Sequence, residues 1–160
     1  MSDFAASWML SRKRFLDEIA GLNQEQLNWQ IYPGSLTIGE MALHVAGVEA
    51  SFGSQLDGRL LDERGQKIKR SATEGVVDDQ PFPFAPAEIT PDVVMGSLEY
   101  SRAIWEPLIT AAEPEVLQKT IKSALGPMIS GEGAFARLGF HAGYHQGQAY
   151  MIKCAPGFPK

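Results

Sequence analysis

With 160 residues, 44% of them hydrophobic, the chain is long enough to bury a sizeable core and is expected to form a single domain over 1–160. No stretch approaches the roughly 20 apolar residues that span a bilayer, and a formal net charge of −5 argues against a nucleic-acid binder, which carries a concentrated basic surface. Cys154 is the only cysteine, which excludes an internal disulfide.

The beginning, Met1-Ser2-Asp3-Phe4, has no basic segment leading into an apolar run, so no secretion signal is expected and a cytoplasmic location is the default. A first helix is predicted from residue 3 to about residue 20, with Phe4, Trp8, Phe15 and Ile19 on one stripe and Gly21 closing it. Asn23 and Gln26 then have capping-box spacing, and Leu27 and Trp29 offer large anchors before Pro33-Gly34 breaks the chain.

The second helix has the clearest start. In Thr37-Ile38-Gly39-Glu40 the threonine oxygen can accept from an exposed amide while Glu40 reaches back, and Leu36 and Met41 stand at the staple positions. Met41, Val45, Val48 and Phe52 continue the apolar face, with His44 one turn after Met41. From 57 to 89 the pattern weakens into a long crossover with room for one short helix. Its densest basic stretch, Arg59 to Arg70, also contains Asp62 and Glu63 and reads as solvated. A connection this long is expected to cover or border a site, with Phe82 and Phe84 either pinning it down or facing a substrate.

Thr90-Pro91-Asp92 starts a third helix with a capping hydroxyl, a first-turn proline and a carboxylate near the positive helix end. Val94, Leu98, Trp105 and Leu108 form its stripe, and Pro107 is expected to bend it or cut it short. Residues 111–127 read as a small helix or an extended passage. The fourth helix is predicted from 130 to about 152. Gly139, Gly143 and Gly147 form a row along it, suited to close packing within a bundle or across a dimer seam. No period-two series of strands competes, so the fold class is all-α: a four-helix bundle with a long crossover between its second and third helices.

The chain has three histidines, and all fall on these helices. His141 and His145 are four apart and therefore lie one above the other on one face; His44 on the second helix can complete a facial triad. Neutral imidazole is a good ligand for zinc, nickel, iron or copper. Three protein ligands leave a position for water or substrate, as in a reactive zinc site. Cys154 lies more than two turns beyond His145, too far along a continuous helix to join them. Gln148 and Tyr144 are candidates to contact the histidines or the site rim. Glu40 is explained by its cap, and Glu49 and Glu99 are candidates to reach the opening. The chain has no HExxH motif, no serine elbow, no phosphate-binding glycine loop and no Glu-x-x-His pair of a di-iron bundle.

Two segments carry a resemblance. Leu27-Asn28-Trp29-Gln30 followed by Leu36-Thr37-Ile38-Gly39-Glu40-Met41-Ala42-Leu43-His44, and later His141-Ala142-Gly143-Tyr144-His145-Gln146-Gly147-Gln148, resemble the DinB-like superfamily of metal-binding four-helix bundles. The resemblance covers essentially the whole chain. It implies that His44, His141 and His145 are a metal triad holding nickel or zinc, and that the protein is a homodimer. It departs at Gln146, where relatives often carry arginine, which weakens transfer of any anion-binding or interface role of that arginine.

The wider group includes thiol S-transferases acting on small thiols and a thiol-dependent isomerase. Three readings follow: a metal-dependent transferase joining a small thiol to an electrophilic substrate, a metal-dependent hydrolase, or a noncatalytic metal or small-ligand binding protein. Fold alone does not choose among them.

Overall fold

The computed structural model describes residues 3–160, so the reading of Met1 and Ser2 lies outside the described residues. The chain is mainly helical. Four long helices dominate: α1 (Asp3–Ile19), α3 (Ile38–Asp57), α5 (Pro91–Ala111) and α7 (Gly131–Lys153). Shorter elements lie between them: α2 (Gln24–Leu27), α4 (Glu63–Arg70), α6 (Pro114–Gln118) and the antiparallel strands β1 (Thr120–Lys122) and β2 (Met128–Ser130). Among the long helices, α1 packs most extensively on α7 and α3 on α5, while α3–α7 and α1–α5 contacts close the arrangement. No described helix is long and apolar enough to cross a membrane.

Local chemistry sets the helix starts. Thr37 Oγ1 accepts from the Glu40 N–H at 3.1 Å while the Glu40 carboxylate accepts from the Thr37 N–H at 2.8 Å, the reciprocal cap expected from sequence. Asn23 and Gln26 do the same for α2. Thr90 and Ser130 cap α5 and α7 through single bonds to Val93 and Gly133. Glycine with positive φ ends α3 at Gly58.

The structure sharpens the sequence reading at two places. Pro107 does not cut α5 short: the helix continues to Ala111. Proline deprives the carbonyl four residues earlier, at Ala103, of its helical donor; both residues are exposed, so water can satisfy that oxygen. The passage after α5 contains a hairpin as well as a small helix, with Ile121 opposite Ile129. Strands of three residues are too short to show a period.

The glycine row is used inside the chain. A β-carbon at Gly139 would lie 3.3 Å from Ser7 Oγ and one at Gly143 would lie 3.3 Å from Ser11 Cβ, both on α1; one at Gly147 would meet nothing within 4 Å. The first two glycines therefore let α1 and α7 approach closely, and Ser7 Oγ donates to the Gly139 carbonyl at 3.0 Å.

The core divides into two apolar clusters. One gathers Phe15, Leu27, Ile38, Leu43, Ile68 and Leu98; the other gathers Trp8, Phe52, Leu56, Trp105, Ile109 and Phe135. Where one gives way to the other along α1, α3 and α5 stands a buried polar knot. The Glu49 carboxylate, 1% exposed, accepts from Trp8 Nε1 at 2.9 Å, from Ser101 Oγ, and from Arg12 at 3.4 Å. Arg12 also donates to the Leu98 carbonyl. Arg12 thus occupies the apolar stripe of α1, one turn after Trp8, because its charge is answered across the core.

Candidate metal centre

His44 comes from α3, His141 and His145 from α7, and the packing of these two helices brings the rings together. His141 Nε2 lies 3.2 Å from His44 Nε2 and 3.2 Å from His145 Nε2. The ligand atoms of all three lie within 4.8 Å of one another. Two nitrogens each about 2.1 Å from one ion and about 100° apart would be about 3.2 Å from each other, so the spacing suits a shared ligand sphere.

Two of the outer ring nitrogens are tied. His44 Nδ1 is 3.0 Å from the Ser71 carbonyl oxygen and His145 Nδ1 is 2.7 Å from Gln148 Oε1. Both partners accept only, so each Nδ1 carries the proton and each Nε2 turns a lone pair to the common centre. His141 Nδ1 is buried with no partner among the described residues. Gln148 meets its expectation by holding a histidine of its own helix, and its amide also donates to the Tyr144 hydroxyl at 3.3 Å.

The Ser71 carbonyl reaches His44 because of Gly47, one turn further along α3. A β-carbon there would lie 2.6 Å from the Ala72 nitrogen and 2.7 Å from the Ile68 oxygen. Only glycine lets the end of α4 come this close. The crossover borders the site as expected, but through Ser71, Val76 and Val77 rather than its phenylalanines. Phe84 is buried in the core and Phe82 packs against the same cluster, so both pin the segment.

The triad lines a cleft of about 780 Å³ whose other walls are mainly apolar, among them Val48, Phe52, Leu125 and Leu138. Tyr144 stands at its rim, 59% exposed, its ring edge-on to His145. Glu49 and Glu99, candidates for the opening, do not line it. Glu49 is held in the core knot, and Glu99 is on the surface paired with Arg102 at 2.7 Å. Glu40 remains in its cap, Cys154 is exposed beyond the end of α7, and Gln146 bonds Glu18 of α1 at 3.2 Å rather than facing the cleft.

Residues 8–149, which contain all three histidines, match the family model of the DinB superfamily. The chain belongs to the DinB superfamily. A solved structure of similar shape is the crystal structure of a conserved protein from Enterococcus faecalis, with a TM-score of 0.67, 16% identity, and coverage of 95% of this chain and 94% of that one. At that identity the likeness concerns fold. No curated protein matches this DinB chain.

Burial depresses the pKa of all three imidazoles. For His44 the Ser71 bond opposes it; for His141 the neighbouring His145 and His44 add to it and the fall is well below 6.5; for His145 the value drops to about 4, with His44 adding and Gln148 opposing. All three are neutral at pH 7, the form that binds metal. In metal-free protein the unfolded chain, with histidine pKa near 6.5, then binds more protons than the folded one between about pH 4 and 6.5. The share owed to His145 is fully present above pH 6.5, falls as the pH drops through that window, and is lost near pH 4. For His145 the contribution is on the order of 3 kcal/mol. Urea unfolding of metal-free protein between pH 7 and 4.5 is expected to show a smaller loss in His145→Gln than in the unsubstituted chain. Equal losses in both would refute the assignment.

Proposed function

We propose that His44, His141 and His145 hold one divalent transition metal, nickel or zinc, and that the protein is a metal-dependent thiol S-transferase built as one four-helix-bundle domain over 1–160. The observation carrying this reading is the convergence of three imidazole Nε2 nitrogens on the wall of an open apolar cleft. The donor set fits such an ion: all-nitrogen, neutral, with two of the three rings oriented from behind. A divalent ion held there would supply Lewis acidity, favouring the thiolate form of a thiol that reaches it.

The chain's own residues account for the rest. Ser71 and Gln148 fix the imidazole tautomers, and the apolar walls exclude water from an electrophile placed beside the sulfur. In the transfer a carbon–sulfur bond forms, the leaving group departs with its electron pair, and the thiol proton passes to solvent. The lining favours a thiol over water as nucleophile. No carboxylate lines the cleft among the described residues, so a metal-assisted hydrolysis would lack the acidic general base that commonly activates its water. A homodimer is carried with this proposal on the family resemblance alone, since Gly139 and Gly143 face the chain's own α1; its mass in solution decides it.

A thiol-dependence assay tests the reading. Metal-loaded protein, given small thiols in turn with a panel of activated aryl and alkyl halides, is expected to form a thioether with one thiol at least tenfold faster than the uncatalysed reaction. His44→Ala is expected to remove that gain. Hydrolysis of the panel without thiol dependence would replace this reading with the hydrolase, and retention of metal with no turnover would favour the binding protein.

A further inference from the structure

We propose that this cleft takes organic anions with an apolar body, and that Arg137 holds their carboxylate or sulfonate. This rests on the reading of the cleft as the substrate site and adds the class of molecule it admits. Arg137 is half-buried on α7 and lines the same cleft as the histidines. It stands one turn before His141, on the face that continues through His145, about 6 Å along the helix axis from His141.

Its isolation makes it informative. Arg12, Arg59, Arg70 and Arg102 are each paired with a carboxylate, Arg64 lies over the Tyr100 ring, and Arg14 is exposed on α1. Arg137 makes no hydrogen bond or ion pair with any described residue, and no acidic side chain lines the cleft beside it. In a protein with a surplus of acidic groups, a guanidinium has been kept without one against walls such as Val48, Phe52 and Leu138. Its planar fork matches a carboxylate or sulfonate and can pair with it through two parallel hydrogen bonds. A molecule with the anion on Arg137 lays its apolar body on those walls and brings its far end to the imidazoles. The anion belongs either to the electrophile or to the thiol; the recognition chemistry is the same.

The test uses two fluorescent probes with the same rings: 1-anilinonaphthalene-8-sulfonate, and N-phenyl-1-naphthylamine, which lacks the sulfonate. Titrated into the full-length protein without metal, the sulfonate is expected to bind one per chain. Arg137→Gln should weaken it at least tenfold while changing the neutral probe less than twofold, and Arg137→Lys should recover part of the loss. A sulfonate affinity within twofold of the original in Arg137→Gln, or an equal loss for both probes, would overturn the proposal. Displacement by benzoate and by 3-mercaptopropionate then separates the sources. If the thiol carries the anion, 3-mercaptopropionate displaces the sulfonate better from nickel-loaded than from metal-free protein. If the electrophile carries it, benzoate is the better competitor in both. Because the first measurement needs neither metal nor turnover, its failure is separate from a failure of the metal or transferase assignments.

Discussion

Purified His145→Ala is expected to retain only background metal where the unsubstituted protein, loaded with nickel or zinc and dialysed free of excess, retains about one ion per chain. His145 supplies one of three converging nitrogens and is itself oriented by Gln148 at 2.7 Å, so alanine removes a donor and leaves two. Elemental analysis after tag removal reads the stoichiometry, and circular dichroism confirms that the helices persist. Stability provides a second reading: a ligand at about a thousand times its Kd adds about 4 kcal/mol to a folded state that alone binds it. That increment should be present in the unsubstituted protein and absent from His145→Ala. Retention of about one ion per chain by both His145→Ala and His44→Ala would place the metal elsewhere.

Glu49→Ala is expected to cost about 3–5 kcal/mol of folding stability, because removing one member of a buried ion pair leaves the other charged and uncompensated. Here the loss strands Arg12 together with Trp8 Nε1 and Ser101 Oγ, all of which donate to the same carboxylate. Against a typical total of about 5–15 kcal/mol, much of the folded population at elevated temperature would be lost. Glu49→Gln keeps the shape and one acceptor, and is expected to cost less. Urea titration measures both, and a change under about 1 kcal/mol for the alanine variant would show that the knot is not structural. Metal content in Glu49→Gln should stay at the unsubstituted level, since Glu49 does not line the cleft.

What sequence made legible was local. The Thr37–Glu40 and Asn23–Gln26 caps were readable because both partners lie within one turn. The fourth helix was placed within a residue at each end by Ser130 and by spacing. His141 and His145 were readable for the same reason, and His44 because it interrupts an apolar face. Contacts made at long range were not. Nothing near Glu49 in sequence announces Arg12 or Trp8, so its burial on α3 passed for a place at the site opening. Ser71 entered the site through a backbone carbonyl, which has no residue signature. The one available hint was Gly47, a glycine within an apolar helix, where close approach by another backbone is the usual cause. Arg137 carried no signal either, since its meaning lies in the partners it lacks. The glycine row was legible as a packing device, but which helix it met required the fold.

The hydrogen bond from His44 to Ser71 joins two parts of the chain that sequence treats separately, a helix of the core and the long segment laid over it. Whatever ion the imidazoles favour therefore has a stake in how firmly that segment is seated. Linkage makes the coupling reciprocal: to the extent that occupancy tightens the segment, seating the segment raises affinity by the same factor. Val76 and Val77, a few residues beyond Ser71, form part of the cleft wall. If the imidazoles hold an ion, the shape of the cleft and the grip on that ion would be coupled through this segment, and variation along it would alter both together.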